Sequence, residues 1–350
     1  MYAVKSPQKI DAVLRLCRLA AGTVPTARHV PFETPCSIDR DTTLPPLEDV
    51  TVSPKADGTR FYLALQEDGL GRPIASMVSR NEEVLSLRVQ APRAYFSMNT
   101  VLDGELCDSQ RGKLFLVFNV LMYQGLPLFG TPYRNRLARL AAMVPAEPPR
   151  QPGERAILGQ RMVLSATPGL EIVAKPCLPG AHLADLLATL HSTPFETDGV
   201  IFTPLNLPMC TGRNRRLLKW KEQHTIDLRL VVHSDNRYQL YAARQGIDVP
   251  LEGVAPAYSF TVNVQLDRIV QGFRLHRKLS GAPPTSFSEI VELAIHINDY
   301  DPALLDYVRV RRDKLTPNDE VTVTRTFTSA ESKIDGDQLL LALNQVCRSV

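Results

Sequence analysis

Val50-Thr51-Val52-Ser53-Pro54-Lys55-Ala56-Asp57-Gly58-Thr59-Arg60-Phe61-Tyr62-Leu63-Ala64-Leu65 is the stretch around which this chain is organised. An extended run precedes Lys55-Ala56-Asp57-Gly58-Thr59-Arg60 and an apolar run follows it, so the segment predicts a strand, a tight glycine-containing turn and a second strand, a hairpin with one amine on rigid support. A lysine so placed has one unusual use. Its amine can attack the α-phosphorus of a nucleoside triphosphate and expel pyrophosphate, provided other groups hold the phosphates and keep the amine unprotonated. At an ordinary pKa of about 10.4 the neutral amine is scarce near pH 7.4, a deficit of roughly 4 kcal/mol, so neighbouring cations are expected to crowd it. A surface hairpin with Asp-Gly in its turn would look the same, and K-x-D-G-x-R should recur in about one unrelated chain in a few hundred. The rest of the chain has to decide.

Outward from there, the 350 residues predict two domains rather than one. Hydrophobic residues make up 44% and charged ones 22%, with a mean hydropathy of -0.10, which excludes a disordered or fibrous chain. No run of about 18 apolar residues occurs and the N-terminus lacks the apolar segment of a signal peptide, so no membrane span and no secretion are expected. Six scattered cysteines with no C-x-x-C pair predict reduced thiols and no cysteine zinc site. The net charge of +3 says little, but basic residues cluster at Arg213-Asn214-Arg215-Arg216 with Lys219 and Lys221, and at Arg309-Val310-Arg311-Arg312 with Lys314. Such clusters suit polyphosphate or a nucleic-acid backbone; many others are plain solvated faces.

In chain order, Pro7 to Ala21 has helical spacing, with Pro7 in the first turn and Gly22 at the stop; residues 31 to 49, rich in Pro, Thr and Asp, predict loop. Ala75 to Asn81 predicts a strand ending in a polar turn, and Val101-Leu102-Asp103-Gly104-Glu105-Leu106 a strand interrupted by two acids, placed for a metal, a sugar hydroxyl or an edge turn. Leu114 to Leu121 predicts a central strand, in which Phe118 is either core or a platform for a flat ring. A short helix over Tyr133 to Met143 and a proline-rich surface loop over Val144 to Gly153 come next. Leu170 to Lys175 alternates, Ala181 to His191 is helical, and Thr197-Asp198-Gly199-Val200-Ile201-Phe202 repeats the acid–glycine–strand pattern. In Leu217-Leu218-Lys219-Trp220-Lys221 the alternation puts both lysines on one face, which calls for an anion between them unless the strand is simply exposed. From Thr225 onward, alternating strands at Ile226–Val232, Arg237–Ala243, Ser259–Val264, Glu289–Ile297 and Tyr307–Val310 predict a small Greek-key barrel of the OB type, and Asp335 to Val346 a last helix.

These segments, in this order, resemble the covalent nucleotidyltransferase superfamily and, within it, the GTP:RNA guanylyltransferases that cap mRNA. The likeness runs from Pro35 to the C-terminal helix and includes Pro35 to Arg40, Lys55 to Arg60, Arg80-Asn81, Leu102 to Leu106, Phe115 to Leu121, Ala174-Lys175-Pro176, Thr197 to Ile201, Leu217 to Lys221 and Ile226-Asp227. Arg309-Val310-Arg311-Arg312-Asp313-Lys314 followed by Pro317-Asn318 is similar to a segment of capping enzymes that ATP-dependent ligases do not share in this form. Asn119 departs from the family's usual Asp.

The resemblance implies an α+β fold: a nucleotidyltransferase domain of antiparallel sheets flanked by helices over residues 1–225, an OB-fold β-barrel over 226–322 and a helical segment over 323–350. It implies transfer of GMP from GTP, through lysyl-GMP on Lys55, to the 5′-diphosphate end of RNA; the alternatives are an ATP-dependent RNA or DNA ligase and a silent RNA-binding protein of the same fold. Arg60, Arg80 and Glu105 would hold ribose and the first phosphate, Phe118 would stack on guanine, and Lys175 would reach its carbonyl. Lys219 and Lys221 would sit at the α-phosphate, and Asp198 would position Mg²⁺ or Mn²⁺. Arg311, Asp313 and Lys314 would orient pyrophosphate when the second domain closes. With no H-C-x5-R loop and no methyltransferase signature, an RNA triphosphatase, a cap methyltransferase and RNA polymerase are the implied partners, at a nuclear or viral cytoplasmic site.

Overall fold

A computed structural model describes residues 1–110, 112–145, 160–166, 169–232, 238–255, 260–263, 287–297, 303–311 and 314–348. The proline-rich loop beyond 145, Arg312-Asp313 and the ends of the Ser259–Val264 strand lie outside them. The chain forms two compact units: Met1–Ile38, Thr42–Lys221 and Asp335–Val350 in the first, Asp39–Asp41 and Glu222–Ile334 in the second.

The expected hairpin at Lys55 is not a hairpin. Val50–Ala56 belongs to a five-stranded sheet, in the order Leu178–Pro179, Val50–Ala56, Thr197–Pro204, Gly212–Lys221, Glu33–Ser37, whereas Thr59–Glu67 is interior to a nine-stranded sheet, between Pro73–Ser79 and Thr100–Ser109. Asp57-Gly58 is thus the crossing point from one sheet to the other. Gly58 is needed for close approach and not for a left-handed turn: a Cβ there would lie 2.5 Å from the Leu106 carbonyl oxygen and 2.7 Å from Cys107 Sγ.

Thr59–Glu67 is apolar along its length because both of its faces are covered. Phe61, Leu63 and Leu65 pack with Phe115, Val117 and Tyr95 on one side, while Tyr62 and Ala64 meet Val13, Leu14 and Cys17 of the helix Pro7–Ala20 on the other. Both sheets are mixed, not antiparallel throughout. Leu170–Ala174 runs parallel to Gly112–Tyr123, a pairing that needs a long crossover, here containing the helix Tyr133–Ala141.

Residues 31 to 49 are not all loop. Glu33–Ser37 is a strand parallel to Gly212–Lys221, and Pro35 is tolerated because this strand is the sheet's edge, where a missing N–H breaks no ladder. The two acids do not interrupt Thr100–Ser109 either: Asp103 is fully buried within it.

The second unit is a six-stranded sheet ordered Ile247–Pro250, Tyr238–Arg244, His224–Val232, Phe287–His296, Ala303–Val310, Phe260–Asn263. Among the described residues its two edge strands do not pair with each other, so no closed barrel is formed. Helix Glu320–Glu331, which the sequence reading left out, buries Val323, Phe327 and Ala330 against this sheet. Asp319 caps it, accepting from the Thr322 N–H at 2.9 Å. The last helix, Gly336–Arg348, belongs to the first unit. No helix among the described residues is long and apolar enough to cross a membrane, and Cys17, Cys36, Cys107, Cys177 and Cys210 are free thiols.

Candidate active site

A cavity of about 510 Å³ in the first unit is walled by both of its sheets, with Lys55 and Lys219 from the five-stranded sheet and Arg60, Glu105, Phe118 and Lys175 from the nine-stranded one or the residue just beyond its strand. Arg80, on the turn after Pro73–Ser79, also lines it.

Three amines, those of Lys55, Lys219 and Lys221, lie close enough to act on one another. Thr197–Pro204 lies between Val50–Ala56 and Gly212–Lys221, so the acid at its start can meet lysines from both neighbours. Asp198 Oδ1 accepts from Lys55 Nζ at 2.5 Å and Oδ2 is paired with Lys221 Nζ at 2.7 Å. Gly199, opposite Lys221, permits this approach, since a Cβ there would fall 2.0 Å from the Trp220 carbonyl oxygen. Burial works to raise the Asp198 carboxyl, but Lys55 and Lys221 outweigh it and hold it below the ordinary range. The expected cation crowd around Lys55 is therefore partly answered by this one carboxylate.

Lys219 has no acid within ion-pair distance among the described residues. Burial, then the like charges of Lys221 and Lys55, push its amine down to about 8. Folding must bury that charge below pH 8, and the penalty fades as pH climbs from about 8 towards 10.5, where the unfolded chain holds the extra proton. Lys219→Met should therefore melt above wild type at pH 7, by the equivalent of about 2 kcal/mol, with the gap narrowing near pH 10 in thermal scans. A variant less stable than wild type at pH 7 would contradict this account.

Phe118, which lines the same cavity, is half-buried, with Lys175 Nζ 5.2 Å and Arg60 Cζ 5.3 Å from its ring centroid. Burial lowers Lys175 to about 8 against the pull of Glu105, and burial raises Glu105 against Arg60, Lys175 and Lys55. Tyr133 donates to the Phe118 carbonyl at 3.1 Å. Behind it Arg136, 1% exposed, donates to Asn119 Oδ1 at 2.7 Å, to the Leu207 carbonyl at 3.0 Å and to the Thr131 carbonyl at 3.1 Å. Asn119, the departure noted in the sequence, is thus a structural acceptor.

Arg60 stands opposite Glu105 in register but pairs diagonally, with Asp103: Nε to Oδ1 at 2.9 Å and NH2 to Oδ2 at 2.6 Å. It also donates to the Glu33 carbonyl. Sequence reasoning missed Glu33 and Arg136, and it singled out Asp103 with Glu105 as acids for a metal, a sugar hydroxyl or an edge turn, not as the partner of Arg60. Asp103 left a faint signal of that role, an acid two residues before Glu105 and so on the same strand face; the other two come from segments read as loop and as an ordinary helix.

Arg311 and Lys314 belong to the second unit, where both pair with buried Asp227, Arg311 NH1 to Oδ1 at 3.0 Å. Asn318 clips the same residue by its backbone, donating N–H to the Asp227 carbonyl at 2.7 Å and accepting the Asp227 N–H at 2.8 Å. Asp313 lies outside the described residues.

The candidate site is thus a cavity that holds one partly buried ring with two cations against it and, on the facing sheet, Lys55 and Lys219. The chain belongs to the mRNA capping enzyme, catalytic domain family, whose profile matches residues 5–223. It is 26% identical over 189 residues to the mRNA-capping enzyme subunit alpha of Yarrowia lipolytica, covering 50% of this chain and 46% of that one. With the subunit alpha of Neurospora crassa the figures are 28% over 210 residues, 52% and 48%. The chain thus spans about half the length of these curated relatives. Among solved structures it is similar to the ligase domain of M. tuberculosis LigD (15% identity, 81% of this chain, 94% of that one, TM-score 0.36) and to the ATP-dependent DNA ligase of bacteriophage T7 in complex with ATP (11%, 75%, 92%, TM-score 0.31).

Proposed function

We propose that this chain is an mRNA guanylyltransferase. The observation that carries the reading is that Lys55, paired together with Lys221 to Asp198, shares one cavity with Lys219, Phe118, Lys175 and Arg60. Lys55 Nζ gives its ammonium proton to solvent, leaves Asp198 and attacks the α-phosphorus of GTP: a P–N bond forms, the P–O bond to the β-phosphate breaks, and pyrophosphate leaves with the electron pair and takes up the proton that the attacking nitrogen sheds. In the second step an oxygen of the RNA 5′-diphosphate attacks, the P–N bond breaks, and the lone pair returns to Lys55 as GpppN departs. Lys219 and Lys221 stabilise the charge that grows on the phosphoryl oxygens. Phe118 stacks on guanine, Lys175 donates to its carbonyl oxygen, and Arg60, Arg80 and Glu105 hold ribose and the first phosphate.

Among the described residues no three His, Cys, Asp or Glu side chains are grouped to hold a metal. Both Asp198 oxygens are paired with lysines, so Asp198 would serve as a single carboxylate ligand for Mg²⁺ or Mn²⁺, beside substrate phosphates and water, once Lys55 leaves Oδ1. The ion would supply charge neutralisation of the triphosphate. Arg311, Asp313 and Lys314 orient pyrophosphate, for which Arg311 and Lys314 must give up Asp227; we assign the second unit the OB-type role of the family. A nuclear or viral cytoplasmic site, and RNA triphosphatase, methyltransferase and polymerase partners, follow from this activity.

Four separate incubations with α-labelled GTP, ATP, CTP and UTP in Mg²⁺ test the reading. GTP alone should leave an acid-labile, alkali-stable label on the protein. Labelling by ATP would replace it with the ligase reading.

A further inference from the structure

The strand Gly212–Lys221 is not straight. Gly212, Arg213 and Asn214 pair with Glu33, Thr34 and Pro35, and pairing resumes only at Leu218, opposite Cys36. On the other side the ladder to Thr197–Pro204 also reaches no further than Leu218. Arg215, Arg216 and Leu217 are therefore matched by neither neighbour and form an arch of three residues where a common bulge has one.

The arch is pinned from within. Asn214 Oδ1 accepts the Arg216 N–H at 3.0 Å, and Asn214 Nδ2 donates to Glu33 Oε1 at 2.6 Å, which also accepts the Cys210 N–H at 3.0 Å. Asn214 and Glu33 are 7% and 5% exposed. A buried carboxylate is costly unless its hydrogen bonds are made, and here they fix the base of the arch.

The arch sorts its side chains. Leu217 turns in and lines the cavity, while Arg215 and Arg216 are exposed with no partner among the described residues. Arg213 is tied back, Nε donating to Cys36 Sγ at 3.1 Å. Further along the same strand Lys219 reaches the cavity wall and Lys221 reaches Asp198. One strand so runs from two exposed guanidiniums with no partner among the described residues to Lys219 at the cavity wall, over at most about 13 Å from Arg215 to Lys219 at roughly 3.3 Å per residue. No large apolar side chain within residues 205–225 is exposed, so the patch offers charge and hydrogen bonds and no apolar anchor for a protein partner.

We infer that Arg215 and Arg216 dock the backbone phosphates of the acceptor RNA that follow its 5′-diphosphate end. The guanidinium fork matches two phosphate oxygens at once, and an acceptor whose end reaches Lys55 must leave its next phosphates at the cavity rim, where the arch stands. GTP lies inside and has no need of it. The inference rests on the guanylyltransferase reading for the identity of the acceptor.

The test uses R215A/R216A and R215K/R216K beside wild type. Label uptake from GTP should be unchanged in both variants, which also reports that they fold. Transfer from the isolated adduct to a 5′-diphosphate 20-nucleotide RNA should show KM raised about tenfold in the alanine variant with kcat nearly kept, while a 5′-diphosphate dinucleotide is used equally well by all three. The slope of log affinity for the 20-mer against log salt should fall by about 1.4, two contacts at about 0.7 each for a single strand. Equal loss on both acceptors, a raised KM for GTP, or an unchanged 20-mer would overturn the assignment. A wild-type chain that took no label would remove the guanylyltransferase reading alone. Fluorescence anisotropy of a labelled 20-mer would still decide the arch, since binding unweakened by R215A/R216A overturns it.

Discussion

Lys55→Ala is expected to take up no label from α-labelled GTP and to lower overall GMP transfer by at least about 10⁴-fold, because no other group in the cleft replaces the bond-forming amine. The loss should not come from unfolding. Lys55 is one of two lysines on Asp198, and Lys221 still pairs with that carboxylate at 2.7 Å when Lys55 is gone. Lys55→Arg separates nucleophile from charge: a guanidinium can keep the ion pair to Asp198 but has no free lone pair below pH 12. It should melt like wild type and still take no label. Peptide mapping of the wild-type adduct adds a direct check, and label recovered on Lys219 or Lys221 would move the nucleophile along the site and refute its assignment to Lys55.

Asp103→Ala is expected to cost about 3–5 kcal/mol of stability, because it strands a buried guanidinium whose charge-assisted hydrogen bonds are gone. Asp103 is completely buried and takes both Nε and NH2 of Arg60. For a chain of 350 residues that corresponds to a fall in Tm of about 4–7 °C. Function should suffer beyond stability, since Arg60 is one of the two cations against Phe118: at a temperature where the variant is folded, KM for GTP should rise. Glu105 stands opposite Arg60 in register and is placed to take over the pairing. If Asp103→Ala melts within about 1 kcal/mol of wild type, Arg60 has made that switch and the diagonal pair is not what holds it.

Most of the strands were legible because alternation and apolar runs are local. Val50–Ala56, Thr59–Glu67, Gly112–Tyr123 and Thr197–Pro204 lie where the pattern puts them. What pairs with what was not. The strand–glycine–strand signal at Asp57-Gly58 is the same for a hairpin and for a crossing between sheets, and only the strand order of the two sheets tells them apart. Glu33–Ser37 hid behind Pro35, which reads as loop until its place at a sheet edge is known. Helix Glu320–Glu331, rich in Thr and Val, has weak helical propensity and is held by burying Val323 and Phe327.

The site divides the same way. The family resemblance, not the local pattern, is what singled out Lys55, Phe118, Lys175 and Lys219 together, and all four line one cavity. The pairings were not legible in either. That Asp198 stands between Lys55 and Lys221, that Arg60 passes over the facing Glu105 for Asp103, and that Arg215 and Arg216 rise on an unpaired arch are matters of register and strand order. Alternation within one strand says which face a side chain takes; only the strands brought beside it from distant parts of the chain say which charge it will meet there.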